Sequence, residues 1–288
     1  MLKLVESCAP LESFKRRFPA YCSRYAAEDK FGFKLETCAN LENVVRFLFE
    51  DYFKVRVVGL ENIPREGGAI LAGNHSGLIS LDGLMLCVAA CCLHPAQRRV
   101  RYLVDPWLST IPWLWDLLRQ SGQVAASLTN AVGLLDQGEL VGIYPEGCQA
   151  LSKTLSQRYK QLPYDPAFVQ LAIYTRSPII PVATIGGDEI YPNFINIGSL
   201  ARLLGVPYFP TTLTFPWLPF PSMLIPLPVP WLISIGRPID LDYPPEKAYD
   251  RALVARIANE LQAQIQQDLD RLLCRRKSLF AGWDDPAL

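Results

Sequence analysis

A chain of 288 residues fits one large domain, or one domain with a helical extension, and buries a core without help from metals or disulfides. Half of its residues are apolar and 19% are charged, which is greasy for a soluble enzyme yet short of a polytopic membrane protein. With 28 basic and 28 acidic residues the formal net charge is zero, so the basic balance of a nucleic-acid binder is absent.

Residues 1–36 mix charge with aromatics and read as irregular to helical, and residues 1–10 hold no long apolar stretch of the secretory type. Residues 40–53 place Leu41, Val44, Val45, Leu48 and Phe49 on one face, the spacing of an amphipathic helix. A strand at 55–58, a turn, and a buried strand at 69–72 follow, and Gly73-Asn74-His75-Ser76-Gly77 ends the second strand. Residues 81–92 then read as a largely buried helix, with Cys87, Cys91 and Cys92 acting as small hydrophobes.

The pattern repeats with a strand at 100–104, a helix at 107–120, a helix at 130–135, a strand at 140–144, a helix at 166–175 and a strand at 179–185. Short apolar strands alternating with helices predict an α/β fold: a layered αβα arrangement with a central, largely parallel or mixed sheet. A final helix at 245–274 carries Leu253, Val254, Ile257, Leu261, Ile265 and Leu269 on one side. The expected organisation is an N-terminal helical extension at 1–54, a main domain at 55–245, and a C-terminal helical segment at 246–288 packed against it.

Residues 203–236 are 34 positions without a charge, eight of them proline. A spanning helix needs about 20 apolar residues with few breaks, and these prolines oppose it. Two readings stay open: buried, proline-stiffened loops, or an apolar surface of Phe209, Phe215, Trp217, Leu218, Phe220, Met223 and Leu224 that meets a membrane or acyl chain. The clusters Lys15-Arg16-Arg17, Arg98-Arg99 with Arg101, and Arg275-Arg276-Lys277 are likewise either solvated charge or contacts to anionic headgroups.

There are eight cysteines with no CxxC pair, which suggests reduced thiols and a cytosolic or stromal compartment. Only two histidines occur, His75 and His94, so a three-histidine zinc site is impossible and no metal is expected. His75 ends a buried strand at the rim of the sheet, where open α/β folds place ligands, although a histidine there also serves purely structural ends. Tyr144-Pro145-Glu146-Gly147 ends another buried strand, and Pro178-Ile179-Ile180-Pro181-Val182-Ala183 is a third.

Taken in order, Asn74-His75 with Asp82, then Pro145-Glu146-Gly147, then Ile179-Ile180-Pro181-Val182, resemble the glycerolipid acyltransferase family over roughly residues 55–245. The linking segments Asn130-Ala131, Gly138-Glu139-Leu140-Val141 and Gly186-Gly187-Asp188 agree with that resemblance. It implies that His75 is a general base for an acceptor hydroxyl, oriented by Asp82. It also implies an acceptor site around Asn74, Ser76, Gly77, Tyr144, Pro145, Glu146 and Gly147, with Glu146 receiving hydroxyls and the oxyanion held by backbone N–H groups near Ser76-Gly77 or at a helix N-terminus.

No cofactor is implied beyond acyl-CoA or an acyl carrier protein as co-substrate. The implied partner is a membrane lipid surface, met peripherally from the cytoplasmic or stromal side by a chain that is not secreted. Phe215, Trp217, Leu218 and Phe220 are the candidate acyl-chain or membrane contacts. A long chain requires an apolar groove, because each buried CH₂ contributes about 0.8 kcal/mol. The helix after His75 is the other candidate lining.

Two departures from the family pattern stand out. Six residues separate His75 from Asp82, and Ser80 stands where the commoner, shorter-spaced aspartate falls. The arginines expected around Pro145-Glu146-Gly147 for a phosphate are missing from 124–127 and 148–153; either Lys153 substitutes, or the acceptor is neutral, such as diacylglycerol or a long-chain alcohol. A hydrolase or thioesterase and a non-enzymatic lipid carrier are the alternatives of other classes. The Gly-x-Ser-x-Gly elbow of the first is absent, and neither a Walker loop nor a dinucleotide fingerprint occurs.

Overall fold

The structure, a computed structural model, describes residues 2–76, 79–206 and 208–283, with side chains from residue 10 onward. Helices α1 (Leu2–Arg17), α2 (Pro19–Arg24) and α3 (Leu35–Phe47) lead into β1 (Arg56–Val58) and β2 (Ala69–Gly73). Then come α4 (Leu81–Val88), β3 (Val100–Val104), α5 (Pro112–Gln120), β4 (Val124–Ala125), α6 (Leu128–Asp136) and β5 (Leu140–Ile143). Next are α7 (Ala167–Thr175), β6 (Ile179–Ile185), α8 (Gly187–Ile190), β7 (Ile195–Asn196), α9 (Gly198–Leu204) and β8 (Pro210–Thr211). Strand β9 (Leu232–Ile235) and the long helix α10 (Arg251–Cys274) complete the chain.

Strand β2 is buried at all five residues and sits in the middle of a seven-stranded sheet of order β1-β9-β6-β2-β5-β3-β4. It pairs in parallel with β5 and β6, while β3 pairs in parallel with β5 and β4. Strand β9 runs antiparallel to β6 and β1 parallel to β9, so the sheet is mixed at one edge only. Strands covered on both faces need apolar side chains at every position, which is why β2 and β6 read as unbroken apolar runs. Alternate side chains separate to two layers: Ile70, Ala72, Val141, Ile179 and Ala183 meet α6, α7 and α10. Ala69, Leu71, Val100, Leu140, Ile180 and Val182 meet the α4 side.

Three predicted helices differ in ways that local chemistry explains. The helix expected at 40–53 begins at Leu35 and ends in a π-helical turn, Leu48–Tyr52. Phe49 is buried in the core with Val45 and Leu48 packed against the same cluster, whereas Val44 is 60% exposed; within α3 the buried residues are Leu35, Ala39 and Glu42. The helix expected at 107–120 is broken: a 3-10 turn, Pro106–Thr110, precedes α5, because Pro112 has no N–H and disfavours helical geometry at Ile111. The last helix starts after Asp250, whose carboxylate caps the Leu253 N–H at 3.2 Å.

Of the three basic clusters, Arg98-Arg99 with Arg101 is withdrawn from both solvent and lipid, whereas Lys15, Arg16, Arg17, Arg275 and Lys277 are exposed. Arg98 is fully buried and donates to the carbonyls of Pro64, Gly67 and Gly138, tying together the turns that precede β2 and β5. Arg99 pairs with Glu139 and lies 4.2 Å over the Tyr25 ring, and Arg101 reaches Asp29 at 2.7 Å. These contacts dock the N-terminal helices on the N-terminal edge of the sheet. Arg276 is also buried, paired with Glu189 at 2.8 Å. Sequence neighbours of like sign disperse because a buried guanidinium requires its own partners.

Residues 208–236 form short strands and loops rather than a helix. Val229 and Trp231 are core, Phe215 is half-buried against Phe209, and Leu218 is exposed together with Trp217 (68%) and Phe220 (70%). Helix α4, the other expected groove lining, is packed into the core through Met85, Leu86 and Val88. Among the described residues no helix is long and apolar enough to cross a membrane.

Replacing Arg98 by Met is expected to lower unfolding free energy by about 3 kcal/mol, because three buried carbonyls lose their donor. Urea denaturation against the exposed control Arg256→Met, expected within about 0.5 kcal/mol of wild type, checks this.

Candidate active site

The ends of three adjacent strands build the site. Register sets Ala72 beside Ile143 on β5 and Gly73 beside Val182 on β6, so the residues after β2 emerge between those two strands. Asn74 extends the stitching: its Nδ2 donates to Thr184 O at 2.9 Å and its Oδ1 accepts from Thr184 N–H at 2.7 Å. Both ends of that amide are spent on β6, so Asn74 backs the site rather than facing a substrate.

His75 is 7% exposed, and its Nδ1 lies 2.9 Å from Asp82 Oδ2 in the first turn of α4. The longer spacing still brings the carboxylate to the ring. The same Oδ2 accepts the Ser76 N–H at 3.0 Å, and Oδ1 accepts the Gly83 N–H at 2.8 Å. A carboxylate at a helix N-terminus is favoured by the helix dipole as well. With Nδ1–H held by Asp82, Nε2 is the basic atom, and it faces Ser80 Oγ at 3.2 Å. The Ser76 N–H, expected as an oxyanion donor, is committed to Asp82, and Gly77 lies outside the described residues.

The imidazole stacks on the Tyr144 ring at 3.9 Å and 9°, and Tyr144 stacks on Tyr102 at 4.9 Å. Burial pushes both phenols well above their ordinary range, so they remain neutral. The stack leaves no room opposite it: a Cβ on Gly142 would lie 2.6 Å from the Tyr102 ring. A Cβ on Gly187 would lie 2.0 Å from Ser76 Oγ, so this glycine lets β6's end close on the histidine loop.

Glu146 occupies a different place from an open acceptor-binding carboxylate. Its side chain is 0% exposed; Oε1 accepts the His75 N–H at 3.2 Å, and Oε2 accepts from Leu162 N–H at 2.8 Å and Lys153 Nζ at 3.2 Å. Glu146 and Lys153 form an internal ion pair beneath the histidine, because a buried carboxylate must be paired. Pro145 passes beneath the surface, and Gly147 turns with φ of 66°, in the left-handed region that favours glycine.

Beside this pair, Lys153, Thr154, Arg158, Asp188, Asn193 and Thr212 line a small cavity, in which burial raises the Asp188 carboxyl to about 6. Asn193 binds the Lys153 carbonyl at 3.0 Å, which joins this wall to the chain leading toward the exposed aromatic loop at 213–220.

Structure therefore brings together His75, Asp82, Ser76 and Tyr144 with Glu146 and Lys153 below, and leaves Trp217, Leu218 and Phe220 on the surface. Sequence reasoning passed over Tyr102 and Arg158, which carry no local signal, and noted Ser80 only as a substitution. The described residues contain no group of three or more His, Cys, Asp or Glu side chains placed for a metal.

Residues 54–185 match the Acyltransferase family model. The chain is 40% identical over 257 residues to an uncharacterized protein of Mycobacterium tuberculosis (strain H37Rv), covering 88% of this chain and 72% of that one. It is 24% identical over 181 residues to the 1-acyl-sn-glycerol-3-phosphate acyltransferase of Bacillus subtilis, covering 59% and 80% respectively. The crystal structure of the 1-acyl-sn-glycerophosphate acyltransferase of Thermotoga maritima superposes with a TM-score of 0.52, covering 96% of this chain and 100% of that chain; at 16% identity the likeness is one of fold. By these matches the chain belongs to the glycerolipid acyltransferase family and is an acyltransferase.

Proposed function

We propose that this enzyme moves a fatty acyl group from a thioester, acyl-CoA or acyl carrier protein, to a hydroxyl of a glycerolipid such as lysophosphatidate. One observation carries the reading: an imidazole fixed at Nδ1 by Asp82 presents Nε2 to a hydroxyl position at the sheet rim. An alcohol is a weak nucleophile near neutral pH, and a positioned base that removes its proton during attack on a thioester contributes about 10²–10⁴-fold. Asp82 sets the tautomer and stabilises the imidazolium that forms. Tyr144 covers one face of the ring and limits water there, while Glu146 and Lys153 fix the backbone from which His75 projects.

The reading includes peripheral contact with the cytoplasmic or stromal face of a membrane. Leu203, Leu213, Trp217, Phe220 and Ile225 are each more than half exposed, in a segment without charge. Water disfavours so much apolar surface, and a lipid interface accommodates it.

A neutral acceptor, diacylglycerol or a long-chain alcohol, is the second reading. It is favoured by the pairing of Lys153 with Glu146, which removes the expected substitute for a phosphate-binding arginine. Arg158, half-exposed at the wall of the small cavity, is the opposing candidate for a phosphate contact.

His75→Ala, folded by circular dichroism, is expected to lose transfer from palmitoyl-CoA about 10²–10⁴-fold; activity within threefold of wild type would overturn the role of the base. Lysophosphatidate, diacylglycerol and hexadecanol compared as acceptors separate the two readings, and Arg158→Ala should raise KM for the phosphorylated acceptor alone. Replacing Trp217 and Phe220 together by Ser should weaken binding to phospholipid vesicles at least about tenfold in a flotation assay. Undiminished flotation would remove that loop from the membrane contact.

A further inference from the structure

Asp82 fixes one atom of the imidazole. The 2.9 Å bond from Nδ1 to Oδ2 sets where that nitrogen lies, but the χ2 angle of a histidine is soft, and the ring can still swing about the bonded atom. Nε2 lies across the ring, so such a swing carries it away from an acceptor. The plane of the ring needs a second constraint, and two aromatic side chains supply it. Tyr144 stacks on the imidazole with ring centroids 3.9 Å apart and 9° between the planes. Tyr102 stacks behind Tyr144 at 4.9 Å and 20°.

The far end of this stack is anchored in backbone. A Cβ on Gly142 of β5 would lie 2.6 Å from the Tyr102 ring, and one on Gly83 of α4 would lie 3.1 Å from it. Tyr102 therefore occupies a slot between β5 and the first turn of the helix that carries Asp82, with its N–H on Gln123 Oε1 at 3.0 Å. Polar contact does not explain Tyr144. Its Oη is closed to solvent, and among the described residues it finds no hydrogen-bond partner. A hydroxyl buried in that state costs stability and cannot reach an acceptor, which leaves the ring as the part the site uses.

We propose that Tyr102 and Tyr144 are positioning residues that fix the plane of His75 and hold Nε2 on the acceptor hydroxyl. The inference rests on the reading of His75 as the general base. As the acceptor oxygen bonds to the acyl carbon, its proton passes to Nε2, the C–S bond breaks, and the sulfur leaves as the thiol with that proton. Neither tyrosine gains or loses a proton. The imidazolium that forms in between lies over the face of Tyr144, whose ring quadrupole attracts a cation. The contact strengthens as the proton is taken, so it lowers the barrier rather than tightening substrate binding.

The test measures transfer from palmitoyl-CoA by the full chain, with the best of the three acceptors compared above. Tyr144→Leu, folded by circular dichroism, should lower kcat about three- to thirtyfold and leave both KM values within about twofold. Tyr144→Phe keeps the ring, should retain kcat within about twofold, and should unfold at no lower temperature because it sheds an unpaired hydroxyl. Tyr102→Leu should lower kcat in the same direction. In a His75→Ala background Tyr144→Leu should cost nothing further, because the stack acts only through the imidazole. Tyr144→Met, a flexible side chain that fills the same space, replaces the leucine variant if that one does not fold.

An unchanged kcat in Tyr144→Leu overturns the proposal, as does a rise in KM in place of the fall in kcat. Equal losses in Tyr144→Phe and Tyr144→Leu overturn it by assigning the effect to the hydroxyl. A loss that persists without His75 overturns it by making the tyrosine a purely structural residue. The general-base reading survives each of these results, since its own failure shows as full transfer by His75→Ala.

Discussion

The Glu146 carboxylate accepts hydrogen bonds from the His75 N–H, the Leu162 N–H and Lys153 Nζ, and is closed to solvent. A buried carboxylate left without such partners would be strongly destabilising, so its need for them pins together three segments distant in the chain. The end of β2, the turn after β5 and the loop before α7 converge on one ion, and the imidazole is positioned as a result. Under the proposed function, the geometry of the base therefore depends on an interaction that takes no part in removing the acceptor's proton.

The two edges of the sheet divide the polar work. At the N-terminal edge, Arg98, Arg99 and Arg101 clamp turns and dock the N-terminal helices through Glu139, Asp29 and Tyr25. At the C-terminal edge, His75 and Asp82 are buried against Tyr144, with His75 Nε2 turned toward the exposed Ser80. Between them lies an apolar sheet covered on both faces, which keeps the two charge systems apart and gives the rim a rigid support.

Apolar character is likewise divided. Strand residues bury theirs in the two core layers, whereas the loops before β9 leave Trp217 and Phe220 outside. Prolines at 210, 216, 219 and 221 prevent these loops from folding into a helix that would hide its own apolar face. Under the proposed function, that surface is where lipid meets the enzyme, on the chain that continues from Asn193 and the wall beside Lys153.

Five strands of the main sheet (β1, β2, β3, β5 and β6), the prolines that oppose a helix over 203–236, the α/β class and the placement of His75 at a strand end were legible in the sequence, whereas β4, β9 and the break before Pro112 were not. The legible features follow from side-chain period and from Pro and Gly chemistry that act within a few residues. Ordered motifs also carried the family resemblance. Only the tertiary structure decided that Arg98 and Arg101 are buried, that Glu146 is an internal brace paired with Lys153, and that Ser80 rather than an aspartate faces His75 Nε2. Those outcomes depend on which segments strand register brings together, as with His75 and Glu146, 71 positions apart. Ser80 likewise meets the imidazole as the N-cap residue of α4, and no local preference encodes a partner that only packing supplies.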